Sequence, residues 1–337
     1  MSKKRNIVIG SLLLIFLIAV VGLVAVNHLE SPVDSKDEEM YLIEIPSGFG
    51  VTQIASLLEK EGLIRNGFFF RIYSRVNQYE GKMKEGEYLI SPSMSTSEII
   101  DKIVRGDVLT YQFTIPEGYT VQQIAELLDR KGFADKQQFL IAAREINFDL
   151  PFPYKLPQVK EPLEGYLFPD TYSYAKDMDE TDLILVMLNE FEKLITSEIK
   201  DRAQELGYSM QEVITIASLI EREAQLADER RIISSVIHNR LDIGMRLGLC
   251  ASVMYVLPEP KDSLTYADLE IDSPYNTYRN DGLPPGPIAS PGRESILAAL
   301  YPDDTSYYYF VARGDGSHVF TRTLAEHNKA ISEIRGN

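Results

Sequence analysis

The chain has 337 residues, with 34 Lys plus Arg against 50 Asp plus Glu, a net charge of −16, 45% hydrophobic and 25% charged residues. That length calls for two or three domains, and the composition excludes a mostly disordered chain. The acidic balance argues against nucleic acid as a partner, since phosphates would repel it. The single cysteine, Cys250, excludes internal disulfides and Cys-rich zinc modules.

Residues Ile7 to Val26 form an uncharged, almost wholly apolar run. As a helix rising ~1.5 Å per residue it spans about 30 Å, the hydrocarbon thickness of a bilayer. Lys3, Lys4 and Arg5 precede it and acidic residues follow from Glu30. The positive-inside rule then keeps residues 1–6 in the cytoplasm and sends the remainder across. The run exceeds the ~7–15 apolar residues of a signal peptide, and no Ala-x-Ala site follows. The expectation is an uncleaved single-pass anchor over residues 7–26 in the cell membrane. The polar residues 27–40, with Pro32, read as a flexible linker.

An internal repeat comes next. Ile45 to Leu58 aligns without gaps with Ile115 to Leu128. Each copy predicts a strand (Tyr41–Ile45; Tyr111–Ile115), a Pro-x-Gly turn and an amphipathic helix. The apolar positions are Val51, Ile54, Leu57 and Leu58 in one copy and Val121, Ile124, Leu127 and Leu128 in the other. A second helix follows in both (Gly67–Val76; Lys136–Ala143). The first copy adds a returning strand at Gly86–Ile90 and a helix opened by the capping pattern Ser95-Thr96-Ser97-Glu98. This β-α-α-β order with an added helix, over residues 41–110, resembles a LysM-like module, a small fold used on cell-wall glycans. Residues 111–150 hold the second copy.

The prolines between Pro151 and Pro162 mark a boundary or a wrapped loop. Beyond them, residues 151–337 predict a mixed, helix-rich α+β domain, so the chain as a whole is α+β. Helices fill the stretch from about Glu180 to Leu241, and loops dominate from Gly248. Two strands (Tyr307–Val311; the His318-Val319-Phe320 segment) flank a Gly-Asp-Gly turn, and a last helix covers Leu324 to Ile334.

Chemistry is most legible in Gln211–Leu226. On a helical wheel with Val213 as origin, Ile216, Ala217, Ile220 and Ala224 fall within about 60° of it, with Arg222 at about 180°. Glu221 and Glu223 sit on its two shoulders, near +80° and −80°. A carboxylate at such a shoulder is partly desolvated, which raises its pKa and suits it to general-acid work. The wheel does not choose between the two, and both also fit the edge of a solvated face. Glu164, Tyr166 and Asp170 lie in a segment of acids and aromatics framed by Gly165 and Pro169, a composition suited to a sugar-binding groove. Asn276 and Tyr278, before the Pro-Gly loop from Gly282 to Gly292, are similar.

Other chemistries lack their residues. His28, His238, His318 and His327 form no tight ligand pair, and there is no Walker loop or nucleophile elbow. Cys250, flanked by Leu247, Leu249 and Ala251, reads as a small buried residue. No metal or cofactor is implied.

Taken in order, Leu163–Tyr172, Ala217–Glu223, Asn239-Arg240-Leu241, Gly244–Leu247, Tyr275–Tyr278, Gly282–Gly292, Tyr309-Phe310-Val311 and Glu326-His327-Asn328 resemble the MltG/YceG-like endolytic murein transglycosylases. The single anchor and the LysM-like region match too. The resemblance makes residues 151–337 the catalytic domain and Glu221, first of the Glu-x-Glu pair, the catalytic acid, with Glu223 supporting it. It implies a peptidoglycan glycan strand as substrate, cut at the MurNAc-β-1,4-GlcNAc bond to leave 1,6-anhydromuramyl ends. It also implies wall synthases and the division or elongation machinery as neighbours. Many members carry Gln-Ser/Thr-Asp-Pro-Thr after Met-x-Leu, whereas this chain has Gly248-Leu249-Cys250-Ala251-Ser252. That departure supports the rival expectation, an inactive wall-binding scaffold.

Overall fold

The computed structural model describes residues 2–145, 159–176, 178–259, 261 and 263–336. Helix α1 (Ser2–Glu30) opens the chain. Its stretch Leu12–Glu30 is long and apolar enough to cross a membrane, with a mean hydropathy of 2.7 and none of it buried in protein.

The segment after Val26 differs from the flexible linker that its polarity predicts. The helix continues to Glu30, and both its end and the residues beyond it are fastened by partners distant in sequence. Thr96 Oγ1 donates to the Leu29 carbonyl at 3.2 Å, and Ser97 Oγ to Glu30 Oε1 at 3.0 Å. The Arg65 guanidinium donates to the carbonyls of Ser31, Pro32 and Val33 at 2.6 to 3.3 Å. Ser91 Oγ donates to the Asp37 carbonyl at 2.8 Å. Main-chain carbonyls beyond a helix end need donors, and here folded side chains supply them in place of water.

The described chain divides into two compact units, residues 1–111 with 175–177, and residues 112–174 with 178–337. The first contains β1 (Tyr41–Ile45), α2 (Val51–Lys60), α3 (Gly67–Val76), β2 (Gly86–Ile90) and α4 (Thr96–Arg105). Strands β1 and β2 are antiparallel, with Tyr41 opposite Ile90 and Ile45 opposite Gly86. This unit has its own core, in which Ile45, Leu58, Phe70, Tyr88, Ile90 and Ile103 are buried. Ser95 and Glu98 form a reciprocal capping box at the start of α4, and Gly106 closes it in the left-handed conformation.

The second repeat copy belongs to the other unit. It consists of β3 (Tyr111–Thr114), α5 (Val121–Lys131) and α6 (Lys136–Arg144). Its closing strand is β4 (Thr171–Tyr174), which pairs with β3. Residues 151–158 of the proline-rich stretch lie outside the described residues. Then come α7 (Glu180–Leu194), α8 (Ser197–Glu205), α9 (Met210–Glu223), α10 (Arg230–Asp242), α11 (Cys250–Met254) and α12 (Arg293–Leu300). The antiparallel hairpin β5 (Tyr309–Ala312) and β6 (His318–Thr321) and the helix α13 (Leu324–Gly336) complete it. One continuous core runs from Phe113 and Ile124 through Met187 and Ile216 to Ile296.

Helix α9 is the axis of this core. The wheel gives it one apolar face, yet every residue from Val213 to Ile220 is buried. The polar side becomes buriable because Thr215 Oγ1 donates to the Gln211 carbonyl and Ser218 Oγ to the Thr215 carbonyl, each at 2.7 Å. Hydroxyls satisfied inside their own helix carry little desolvation penalty.

Candidate active site

Because α9 is surrounded along its middle, carboxylates return to it only in its last turn, at Glu221 and Glu223. Glu221 stands there with its side chain 8% exposed. Its Oε2 accepts from Ser295 Oγ at 2.7 Å and from the Gly292 N–H at 3.1 Å. Both donors belong to the first turn of α12, whose N-cap is Gly292, so the carboxylate faces the positive end of a helix. Arg230 extends the arrangement. Its Nε donates to Ser295 Oγ at 3.2 Å, and its Nη2 lies 3.9 Å from Glu221 Oε1. One oxygen thus accepts from two donors, while the Arg230 cation stands 3.9 Å from the other.

The segment carrying Gly292 is held on both sides. The Ile288 N–H donates to Ser218 Oγ at 3.1 Å, tying it to α9. On the other side the Gly118 N–H donates to the Ser290 carbonyl and the Ser290 N–H to the Tyr119 carbonyl, both at 2.8 Å. The turn after β3 is thus laid across the end of α9. Gly118 takes φ +74°, and a Cβ there would come within 3.7 Å of Glu221 Cγ, so the turn is both left-handed and close.

That turn delivers a second carboxylate. Glu117 packs on Gly292 so closely that a Cβ at position 292 would overlap its carboxylate. Burial and the negative charge of Glu221 push the Glu117 carboxyl above its ordinary range, against the pull of Arg230. Residue type and spacing did not single out Glu117, Arg230 or Ser295. A signal for the first existed in the repeat, where the matching residue is Ser47.

Cavities open beside this centre. One, of about 570 Å³, is lined by Glu117, Phe168, Asp170, Arg293 and Tyr301. Another, of about 780 Å³, is lined by Glu164, Arg222, Met254, Tyr255, Lys261 and Tyr275. The predicted residues fall into separate places. Asp170 is exposed at the smaller cavity. Glu164, 1% exposed, sits at the floor of the larger one. It accepts from the Val121 N–H at 3.1 Å and from Tyr255 Oη at 3.2 Å. Burial pushes its pKa up to about 8. Tyr166 is buried, its ring edge-on to Phe191 at 5.3 Å. Asn276 is fully buried, and its amide donates to the carbonyls of Leu269 and Ile271, both at 2.9 Å.

Glu223 turns the other way from Glu221. Burial pushes its pKa up, and its Oε1 accepts from the Ala251 N–H at 3.1 Å, so it anchors the segment that departs from the usual polar pattern. Within that segment Ser252 Oγ is 2.9 Å from Thr277 Oγ1. Cys250 is exposed, not buried as its apolar neighbours predict, with Sγ 3.2 Å from Tyr278 Oη. A five-residue helix such as α11 has too little inner face to bury every position. Asn239 and Arg240 secure the chain before and into β5. Asn239 Nδ2 donates to the Thr305 and Tyr307 carbonyls at 2.9 Å, and Arg240 donates to those of Tyr308 and Leu247.

Comparison with known proteins gives a consistent picture. The YceG-like family model matches residues 43–333. A protein of Bacillus subtilis named endolytic murein transglycosylase is 37% identical over 316 residues, 90% of this chain and 87% of that protein. The protein of the same name from Streptococcus pneumoniae is 31% identical over 333 residues, and the match covers 90% of this chain and 60% of its relative. In three dimensions, the crystal structure of a yceG-like protein from Listeria monocytogenes aligns with a TM-score of 0.60 at 36% identity, covering 87% of this chain and 99% of that one.

Proposed function

Since this chain belongs to the YceG-like family, we propose that it is an endolytic murein transglycosylase with Glu221 as its acid and base. The observation that carries the residue assignment is the asymmetry of the Glu221 carboxylate. Oε2 is fixed by Ser295 and Gly292, which leaves Oε1 to hold and release a proton in a defined direction.

The substrate would be a glycan strand of alternating N-acetylmuramic acid and N-acetylglucosamine. Protonated Glu221 donates to the glycosidic oxygen as the bond from C1 of the muramic acid breaks. Positive charge developing at C1 is buffered by the substrate's own N-acetyl group. The Glu221 carboxylate then takes the proton of the C6 hydroxyl, and that oxygen bonds to C1. The product is a 1,6-anhydromuramyl end, no water is consumed and the enzyme regains its proton. One carboxylate suffices where a hydrolase needs two. Glu117 serves as a positioning residue. Burial and the Glu221 charge favour the protonated form of Glu117.

Glu164, Asp170 and Tyr278 are proposed to bound the sugar-binding surface, Glu164 from the floor of the larger cavity. Tyr166, Asn276 and Glu223 act from inside by fixing its walls. The apolar helix is proposed as the single-pass anchor with residues 1–6 cytoplasmic and both folded units outside, the first acting as a LysM-like wall-binding module. That placement favours newly made strands beside the wall synthases and would limit their length.

The test is incubation of the full-length protein in detergent with uncrosslinked glycan strands, read by mass spectrometry. Anhydromuramyl ends that disappear in Glu221→Gln support the proposal. Reducing ends would make it a hydrolase, with Glu117 the residue to examine for water activation. Intact strands that co-sediment with the protein would mean a wall-binding scaffold.

A further inference from the structure

The first unit presents a surface that its own core does not use. On α3, Phe68 is 64% exposed, Ile72 41% and Val76 73%. Spaced four residues apart, they form one continuous stripe along the helix. The opposite face is committed to the core, with Gly67, Phe70 and Ser74 buried. Within Gly67–Val76 the charged residues are Arg71 and Arg75, in a chain whose net charge is −16; Arg75 is ion-paired with Glu80 at 3.1 Å, so Arg71 is the cation that marks the stripe. The Arg71 guanidinium lies 5.5 Å from the centre of the Phe68 ring.

The position of this stripe derives from how the anchor is fastened. Helix α3 begins two residues after Arg65, and Arg65 grips the carbonyls of Ser31, Pro32 and Val33. Those carbonyls come directly after a helix whose apolar run ends at Val26. From Val26 to Glu30 the helix climbs about 6 Å. The headgroup layer beyond the hydrocarbon is about 5–8 Å deep. Arg65 therefore stands at headgroup level, and Phe68 is three residues further on. An apolar stripe with Arg71 beside it at that height has the character of an interfacial helix, whose rings and aliphatic groups enter the acyl boundary while its cation meets anionic headgroups.

We propose that the first unit is a rigid continuation of the membrane anchor, resting on the bilayer through the Phe68, Ile72 and Val76 face of α3. The occupant of the stripe is the lipid surface. This rests on the anchor reading and goes beyond it, because a flexible tether would leave the unit free to rotate above the membrane.

The chain contains no tryptophan, so a single introduced one reports without background. The full-length Phe68→Trp variant is reconstituted into vesicles of phosphatidylglycerol and brominated phosphatidylcholine. Tyr266→Trp, at a residue 89% exposed in the second unit, is the control. The expected result is blue-shifted F68W emission that bromolipid quenches and iodide does not, with the reverse for Y266W. Protein that floats with the vesicles while F68W emission stays red and iodide-sensitive overturns the proposal and leaves the anchor intact. Emission shielded from iodide but untouched by bromolipid also overturns it, since protein would then cover the stripe. Failure to float removes the anchor reading, and the proposal with it.

Discussion

Ser47 and Glu117 occupy the same place in two copies of one β-α-α-β design. The first copy closes on itself. Its strands pair within 49 residues of sequence or fewer, and its core is separate from the rest. The second copy takes its closing strand from Thr171–Tyr174 and contributes Ile115, Val121 and Leu128 to the large core around α9. In one copy the Pro-x-Gly turn carries a hydroxyl. In the other it carries a carboxylate lying on Gly292, beside Glu221. A local sequence pattern encodes the element order, and long-range packing decides whether a turn is a surface loop or a wall of the site.

The largest expected effect tests which side of that comparison holds the chemistry. Glu221→Gln keeps the volume and can still accept from Ser295 and the Gly292 N–H, but it cannot hold and return a proton. Turnover of glycan strands should fall by about 10²- to 10⁴-fold, with the thermal midpoint little changed. Retained turnover in that variant would move the acid elsewhere.

Exchanging the turn residues is the next largest. Glu117→Ser makes the second copy like the first, and about a tenfold loss in kcat is expected, because Glu221 loses the neighbour that positions it. Removing Glu117, whose carboxyl is held above its ordinary range, should also shift the activity optimum by deleting the limb of the pH profile that this group sets. Ser47→Glu should alter neither. Gly292→Ala separates charge from position. The new Cβ overlaps the Glu117 carboxylate, which can swing aside without unfolding the chain. It should reproduce the kcat loss of Glu117→Ser with a normal melting curve. An optimum that stays in place in Glu117→Ser would reduce Glu117 to a structural residue.

Stability against pH distinguishes the buried carboxyl under α5 from any counterpart in the first copy. Burial raises Glu164 from an ordinary 4.5 to about 8. The folded state therefore binds this proton more tightly than the unfolded chain. Its stabilising contribution is complete below about 4.5 and is lost as pH climbs through about 8. Glu164→Gln keeps the volume without a titratable proton, and the amide oxygen can still accept from the Val121 N–H. The wild-type melting temperature should decline from pH 5 to pH 8 more steeply than the variant's. Parallel curves would show that Glu164 stays ionised in the folded protein.

Much of this is legible in the sequence. The repeat, the capping pattern at Ser95 and the apolar run at the N-terminus depend on neighbours in sequence, and each leads to an observed element. Glu221 was legible as one of two shoulder carboxylates, and only family resemblance chose it. What escaped depends on contacts across tens of residues. Arg65 fastens the chain after the anchor, Ser295 and Gly292 hold Glu221, and Thr215 and Ser218 let α9 be buried all round. Asn276 has the composition of a ligand-binding residue, yet its amide is spent on two main-chain carbonyls. Residue type alone cannot tell a polar group that faces solvent from one that ties a loop.

The smallest effect lies at the entrance of the matching helices α2 and α5. Their N-caps are Gly50 and Thr120, and in both copies the N-cap N–H donates to a Gln side chain three residues on, at 2.9 Å. Thr120 Oγ1 returns the bond by accepting from the Gln123 N–H at 3.2 Å, whereas Gly50 has no side chain with which to do so. Thr120→Gly should cost the second unit only a few tenths of a kcal/mol, and Thr120→Ala about 1 kcal/mol. Gly50 has φ −86°, open to any residue, and a Cβ there meets nothing closer than 3.8 Å. Gly50→Thr should therefore stabilise the first unit by a similar few tenths, read as a shift in the denaturant midpoint of that unit's transition. A loss of stability in Gly50→Thr would mean that the two turns differ in backbone and not only in side chain, and the equivalence of the copies would end before the helix begins.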